Sequence, residues 1–235
     1  MNGSHPVVDI VIPAFNEAAS LPLVLNAIPD SLVRRVVVAD NNSTDGTGEI
    51  AKTNGATVVR EIRPGYGSAC LAGLRYLREN EPPDIVVFLD ADFSDYPEEI
   101  GLLLEPILSD RSDLVIGSRV LGQRQPGALL PQARFGNIIA CLLIRLLYRH
   151  KYTDLGPFRA IRWDKLELLG MSDPDFGWTA EMQVKALKYD LRVEEVPASY
   201  RKRVGVSKIT GTIKGTILAG YKILWTVIRY SWSSR

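Results

Sequence analysis

Several things are scarce in this sequence, and each scarcity excludes a class of protein. Its two cysteines, Cys70 and Cys141, lie far apart with neither metal nor disulfide spacing. A disulfide framework is therefore not expected, and a reducing compartment is. The N-terminus, MNGSHPVVDI, lacks a cationic start followed by an apolar core, so no signal peptide is expected. No uncharged apolar run approaches the roughly 18 to 20 residues needed to span a bilayer. After the first apolar run there is no G-x-G-x-x-G and no P-loop. That argues against a dinucleotide oxidoreductase and against a P-loop NTPase.

The last scarcity is local. The formal net charge is only +1, yet residues 114–153 and 196–235 contain no Asp or Glu. These two stretches carry fourteen of the 28 basic residues, among them Arg119, Arg124, Arg134, Arg145, Arg203 and Lys208. Segregation on this scale implies an anionic partner such as phosphate or a lipid surface.

What is present reads as one α/β domain. The 235 residues can bury a sizeable core, and 46% hydrophobic with 23% charged residues is ordinary for a folded chain. Apolar runs at Val7–Ile12, Val36–Ala39 and Ile85–Leu89 are dense in β-branched residues and alternate with helical patterns. They predict a mostly parallel, Rossmann-like central sheet flanked by helices. Three of the predicted strands end in acids or amides: Asn16 and Glu17, Asp40, and Asp90 with Asp92. Ligands of open α/β sheets bind beyond the carboxyl ends of the strands. Asp90 and Asp92, two apart on an extended segment, project the same way. Two close carboxylates repel unless a cation joins them, and hard oxygen ligands suit Mg²⁺ or Mn²⁺ bridging phosphates. A lone D-x-D is a weak signal in a chain that repeats it at Asp173 and Asp175; the convergence of three strand ends is the stronger one.

Beyond residue 120 the pattern changes. Residues 122–132 form a Pro- and Gly-containing loop, a candidate lid. Residues 134–149 predict a helix with a broad apolar face of Ile138, Ile139, Leu142, Leu143, Leu146 and Leu147. It reads first as a core helix, with membrane contact as the alternative. Glu181 falls in the first turn of a helix over 178–188, as a helix-dipole partner or a site carboxylate. In the tail, helical geometry puts Ile209, Ile213, Ile217, Gly220, Leu224, Val227 and Ile228 on one side. Lys208, Lys214, Lys222 and Arg229 fall on the other, and Leu218 and Trp225 near the boundary. Such a helix suits a membrane interface, and equally suits packing on its own domain or on a partner subunit. The expected division is a catalytic domain over 1–205, split near residue 120, and a basic amphipathic tail over 206–235.

With these residues in hand, the chain resembles family 2 glycosyltransferases of the GT-A fold, and among them the dolichyl- and polyprenyl-phosphate sugar synthases. The resemblance rests on Ile12-Pro13-Ala14-Phe15-Asn16-Glu17, Asp40-Asn41-Asn42-Ser43-Thr44-Asp45-Gly46, Leu89-Asp90-Ala91-Asp92, Gly117-Ser118-Arg119, Asp154-Leu155-Gly156-Pro157-Phe158-Arg159-Ala160 and Gly205-Val206-Ser207-Lys208. It implies an inverting, metal-dependent transfer of glucose or mannose from UDP-glucose or GDP-mannose to a polyprenyl or dolichyl phosphate. Pro13, Ala14, Asn16, Glu17, Asp40 and Asn42 would line the nucleoside pocket, and Asp90 and Asp92, flanking Ala91, would hold Mg²⁺ or Mn²⁺ on the diphosphate. Arg119 and Arg134 would meet acceptor phosphate and donor, while Lys208 with Arg203 or Lys202 would close over the diphosphate. The segment Phe93-Ser94-Asp95 departs from the Leu-Gln-His common in mannosyl relatives, so the donor sugar stays open.

A phosphate acceptor is already anionic, whereas a hydroxyl acceptor needs a base, for which Glu181 is the candidate. A non-catalytic, basic membrane-binding protein is the reading from another class. The implied setting is peripheral, on the cytoplasmic face of a membrane; nucleic acid is not an expected partner, and a homo-oligomer stays open.

Overall fold

The structure is a computed structural model and describes residues 6–205 and 213–232. Lys208, Ile209 and their neighbours lie outside the described residues. Seven strands form one sheet: β1 (Val8–Ala14), β2 (Arg35–Asp40), β3 (Thr57–Arg60), β4 (Ile85–Phe88), β5 (Leu114–Ser118), β6 (Arg159–Arg162) and β7 (Val193–Pro197). The helices are α1 (Leu21–Ala27), α2 (Thr47–Thr53), α3 (Tyr66–Glu79), α4 (Ile100–Leu108), α5 (Pro131–Tyr148), α6 (Trp163–Leu169), α7 (Trp178–Lys188) and α8 (Ile213–Trp232). A single 3-10 turn, Pro97–Glu99, leads into α4.

The sheet order is β3-β2-β1-β4-β6-β5-β7. All neighbouring pairs are parallel except those made by β6, which runs antiparallel to both β4 and β5. The expected mostly parallel sheet is therefore present, with one reversed strand joining its two halves. Helices cover both faces, as the fully buried strands β1, β4 and β5 require. Chain order reverses direction across the sheet between β1 and β4, and the crevice at such a switch point is where α/β folds bind ligands.

Pro13, inside the central strand β1, costs no ladder bond. Pairing with β4 ends at Val11 opposite Phe88, so Pro13 lies past the end of β4. Buried Asp9 in the same strand is held by Arg34 at 2.6 Å and Arg35 at 3.0 Å, which satisfies a charge that would otherwise be prohibitive there.

The reading of residues 134–149 as a core helix is corrected. Asn137, Ala140, Cys141 and Ile144 of α5 turn inward, while Phe135, Ile138, Ile139, Leu142, Leu146 and Leu147 are exposed. The helix is apolar on more than one side, and its packing against α7 and α8 leaves the side with most of the large residues outside. In α8, Val227 is buried and Leu224 and Ile228 are half-buried, whereas Leu218, Tyr221, Trp225 and Trp232 are exposed. Helix α8 packs against α5 and α7. Among the described residues no helix is long and apolar enough to cross a membrane.

Candidate active site

A cavity of about 450 Å³ opens at the carboxyl ends of β1, β2 and β4. Its lining includes Pro13, Ala14, Phe15, Glu17, Asn41, Asn42, Pro64, Gly65, Tyr66, Ala69, Asp90, Ala91, Asp92, Phe176 and Arg203. Eight of these, Pro13, Ala14, Glu17, Asn42, Asp90, Ala91, Asp92 and Arg203, are residues singled out in the sequence.

Asn16 and Asp40 stand just behind that wall and shape it. Asn16 sits at φ 53°, in the left-handed region that Asn tolerates. Its backbone N–H donates to Ser43 Oγ at 2.9 Å, and its side-chain carbonyl accepts from Thr44 N at 2.8 Å. Asp40, at the tip of β2, accepts from Ser43 N at 3.0 Å. The β1 and β2 tips are thus tied into one rim. Asn41 extends the tie by donating to the carbonyls of Glu61 and Arg63 and accepting from Gly65 N at 2.9 Å.

Glycine is required at Gly65 and Gly67. Gly65 has φ 133°, and a Cβ at either position would collide with the Pro174 or Asp173 carbonyl. Ser68 N donates to the Pro174 carbonyl at 2.8 Å. The loop 171–177 is thereby seated on the start of α3, and it carries Phe176 to the cavity. The same docking aims Tyr66, whose hydroxyl donates to Asp90 Oδ1 at 3.1 Å.

The acidic cluster is short of positive charge. Burial, then the neighbouring Asp92, pushes Asp90 up to about 7. Asp92 accepts from Ser94 N at 2.9 Å and pairs with Arg203 Nη1 at 3.0 Å; Arg203 Nη2 reaches Glu17 at 3.1 Å. Asp95 is 1% exposed, and neither of its carboxylate oxygens has a hydrogen-bond partner. Burial, followed by Asp90 and Asp92, drives its carboxyl well above the ordinary range. Among the described residues no three His, Cys, Asp or Glu side chains converge as a complete metal cage. Two carboxylates facing a cavity, with excess negative charge behind them, fit a cation whose other ligands come from a bound diphosphate.

Arg203 is positioned by backbone pairing. Arg201 N donates to the Ser94 carbonyl and Val204 N to the Asp92 carbonyl. Arg201 itself lies between Phe93 and Tyr96, 3.6 and 3.8 Å from the ring centroids. This zipper puts Arg203 in the cavity and leaves Lys202 exposed, its backbone N held by Gln125. The loop 122–130 is likewise pinned, through Gln125 N to the Tyr200 carbonyl at 2.9 Å.

Arg119, Arg134 and Glu181 do not line the cavity. Arg119, just past β5, forms a bidentate pair with Asp154, at 2.8 and 2.7 Å, and lies 5.3 Å from the Tyr200 ring. Burial pushes the Asp154 carboxyl up, but the guanidinium outweighs it and holds the group below its usual range. Asn137 of α5 fixes that loop, donating to the Thr153 carbonyl and accepting from Leu155 N, both at 2.9 Å. Arg134 is exposed one turn earlier on α5. Glu181 has no exposed surface. Its carboxylate accepts from Asp173 N, Tyr230 Oη and Lys185 Nζ, each at 2.7 Å, and also from Ser172. Those bonds, led by Lys185, override the effect of burial and lower its pKa.

Tyr66 and Phe176 were missed in the sequence. Tyr66 sits inside the glycine-rich run Gly65-Tyr66-Gly67, a usable signal; Phe176 reaches the cavity only through the docking of loop 171–177, which has no local signature.

An acid-tipped, mostly parallel sheet with a cavity at its switch point, lined by Asp90, Asp92 and Arg203, has the architecture of a glycosyltransferase of the GT-A type. The comparisons with known proteins agree. Residues 9–169 match the model of Glycosyl transferase family 2, and the chain belongs to that family. An uncharacterized glycosyltransferase of Mycobacterium tuberculosis is 40% identical over 215 residues, 90% of this chain and 94% of that one. The undecaprenyl-phosphate mannosyltransferase of Micrococcus luteus is 34% identical, covering 87% of this chain and 88% of its own. The polyprenol monophosphomannose synthase of Mycolicibacterium smegmatis is 27% identical, covering 86% and 81%. Among solved structures, glucosyl-3-phosphoglycerate synthase from M. tuberculosis, in complex with Mn²⁺, UDP and phosphoglyceric acid, superposes with a TM-score of 0.77. At 22% identity it covers 98% of this chain and 80% of its own, a likeness of fold.

Proposed function

We propose that this glycosyltransferase moves a hexose, glucose or mannose, from UDP-glucose or GDP-mannose to a polyprenyl phosphate, working at the cytoplasmic surface of a membrane. The observation that carries the donor side is the cavity that brings Glu17, Asp90, Asp92 and Arg203 together at the switch point of the sheet. The acceptor is supported by the names of the M. luteus and M. smegmatis relatives and by the acid-free basic half of the chain.

In this reading Pro13, Ala14, Glu17 and Asn42 border the nucleoside, with Asn16 and Asp40 holding the rim in shape. Tyr66 and Phe176 offer ring faces to it. Asp90 and Asp92 hold Mg²⁺ or Mn²⁺, which when bound neutralises charge on the departing diphosphate. Arg203, held between Asp92 and Glu17, faces the same phosphates. An oxygen of the acceptor phosphate attacks C1 from the side opposite the diphosphate. The new bond from C1 to that oxygen forms as the bond from C1 to the diphosphate oxygen breaks, the electron pair leaves with the diphosphate, and the anomeric centre inverts. Arg119 and exposed Arg134 bind the acceptor phosphate, since a guanidinium fits phosphate in a bidentate manner.

A hydroxyl acceptor would require a base, and Glu181 is poorly placed for that work. It lies outside the cavity lining with its oxygens already accepting from five donor atoms. The test is a screen of sugar nucleotides with Mg²⁺ or Mn²⁺ against polyprenyl phosphate, scored as radiolabelled lipid. A labelled lipid that survives mild base but is released by mild acid is the expected product. Donor consumption without labelled lipid from any prenyl phosphate would overturn the acceptor assignment.

A further inference from the structure

The exposed apolar side chains of this molecule are not scattered. Helix α5 shows Phe135 at 66%, Leu142 at 57% and Leu146 at 78% exposure, with Ile138 and Ile139 on the same side. These positions recur at three and four residues, opposite the inward-facing Asn137, Ala140, Cys141 and Ile144. Helix α8 packs on α5, tied by Tyr148 Oη donating to the Val227 carbonyl at 2.8 Å. Its own outward side presents Leu218, Tyr221, Trp225, Arg229 and Trp232, the last at 80% exposure. An exposed apolar patch on this scale marks an interaction site.

The charges around it say what kind. Arg134, Arg145, Arg149 and Lys151, on or just after α5, and Arg229 on α8 are exposed. Among the described residues none of them pairs with a carboxylate. Elsewhere the arginines are mostly satisfied: Arg34 and Arg35 by Asp9, Arg78 by Glu167, Arg111 by Glu105, Arg192 by Asp113. An apolar stripe edged by unpaired cations, with Trp and Tyr among its members, has the chemistry of the bilayer interface. A second copy docking through the same face would set these cations against one another, and residues 114–153 and 196–235 supply no acid to meet them.

We propose that the outward faces of α5 and α8 form one docking surface for a bilayer with anionic headgroups, the apolar stripe entering the interface and the unpaired arginines meeting lipid phosphates. This deepens the membrane placement proposed above and is independent of the acceptor's identity. The surface is joined to the site. Asn137, on the inner side of α5, holds the loop whose Asp154 grips Arg119. A phosphate anchored at the interface is thereby delivered beside Arg134 and Arg119.

The test is co-sedimentation of the full chain with vesicles of phosphatidylcholine alone or with phosphatidylglycerol, containing no polyprenyl phosphate and no sugar nucleotide. Binding is expected to the anionic vesicles, weakening as salt rises. Arg145→Gln should weaken it roughly fivefold, the effect of one interfacial cation. Leu142→Glu and Trp225→Glu should each weaken it about tenfold or more, as burying such side chains is worth at least that. Circular dichroism and Mn²⁺-dependent binding of whichever of UDP and GDP the wild type takes should be unchanged in all three. No binding to either vesicle, unchanged binding by the variants, or a dimer in solution that the same variants dissociate would overturn the proposal. Loss of the polyprenyl-phosphate assignment alone would leave the vesicle result intact.

Discussion

The donor cavity and the outward faces of α5 and α8 handle charge in opposite ways. Around the cavity the strand tips are laced together by Asn16, Asp40 and Asn41, Arg203 is paired, and the loops are sealed by glycines. On the outward faces of α5 and α8, apolar surface and cations are left unmatched. The difference follows from where each region finds its partner. A small dianionic leaving group needs ligands fixed before it arrives. A surface cannot be enclosed, and the residues that meet it stay unpaired until it is there. Arg203 and Arg134 show the contrast in one residue type: the first is clasped by Asp92 and Glu17, the second stands exposed.

The largest effect is expected at the donor cavity. Asp92→Ala should lower kcat by about a hundredfold to a thousandfold, the effect of deleting one charge-stabilising group, in a steady-state assay with saturating donor. A variant within tenfold of wild type would remove Asp92 from the chemistry.

Next comes the Arg119–Asp154 pair. Arg119→Ala leaves a carboxylate buried with no cation, at a cost of about 3–5 kcal/mol in urea unfolding. Asp154 is held below its ordinary value near 4. Its contribution is therefore complete above that pH and is lost as pH falls through the depressed folded value. Asp154→Asn should flatten the stability profile in that acid window, and an unchanged acid limb would count against the pair.

Glu181→Gln comes third. It disturbs a buried carboxylate that gathers Lys185, Tyr230 and loop 171–177, and should cost about 1–3 kcal/mol of stability while kcat stays within tenfold. A fall of several orders in kcat with stability intact would revive the hydroxyl-acceptor reading. The smallest effect belongs to Phe176→Ala, which should raise the donor KM by about tenfold or less through lost apolar contact and leave kcat nearly unchanged.

Much of the cavity rim was legible in the sequence because its signals are local. A buried parallel strand is a run of β-branched residues, its end is an acid, and the next helix starts in turn residues. Asp40 and Asp90 announce themselves in this way. The register of the second half was not legible, because it depends on contacts between distant segments. Arg203 and Lys202 could not be told apart in sequence; the pairing of residues 201–204 with 92–95 separates them. Glu181 read equally well as a site acid or a helix-dipole partner, and only the loop and tail packed around it show what its oxygens hold. Apolar periodicity in α5 did not say which side would pack inward. The side of Asn137, Ala140, Cys141 and Ile144 did, which left Phe135, Leu142 and Leu146 exposed.

The most direct test of this division is calorimetric titration of UDP and of GDP into the protein, with and without Mn²⁺, in wild type, Asp92→Ala and Leu142→Glu. One nucleotide is expected to bind in the presence of the metal, Asp92→Ala to abolish that binding, and Leu142→Glu to leave it untouched. Equal binding without metal and in Asp92→Ala would contradict the division.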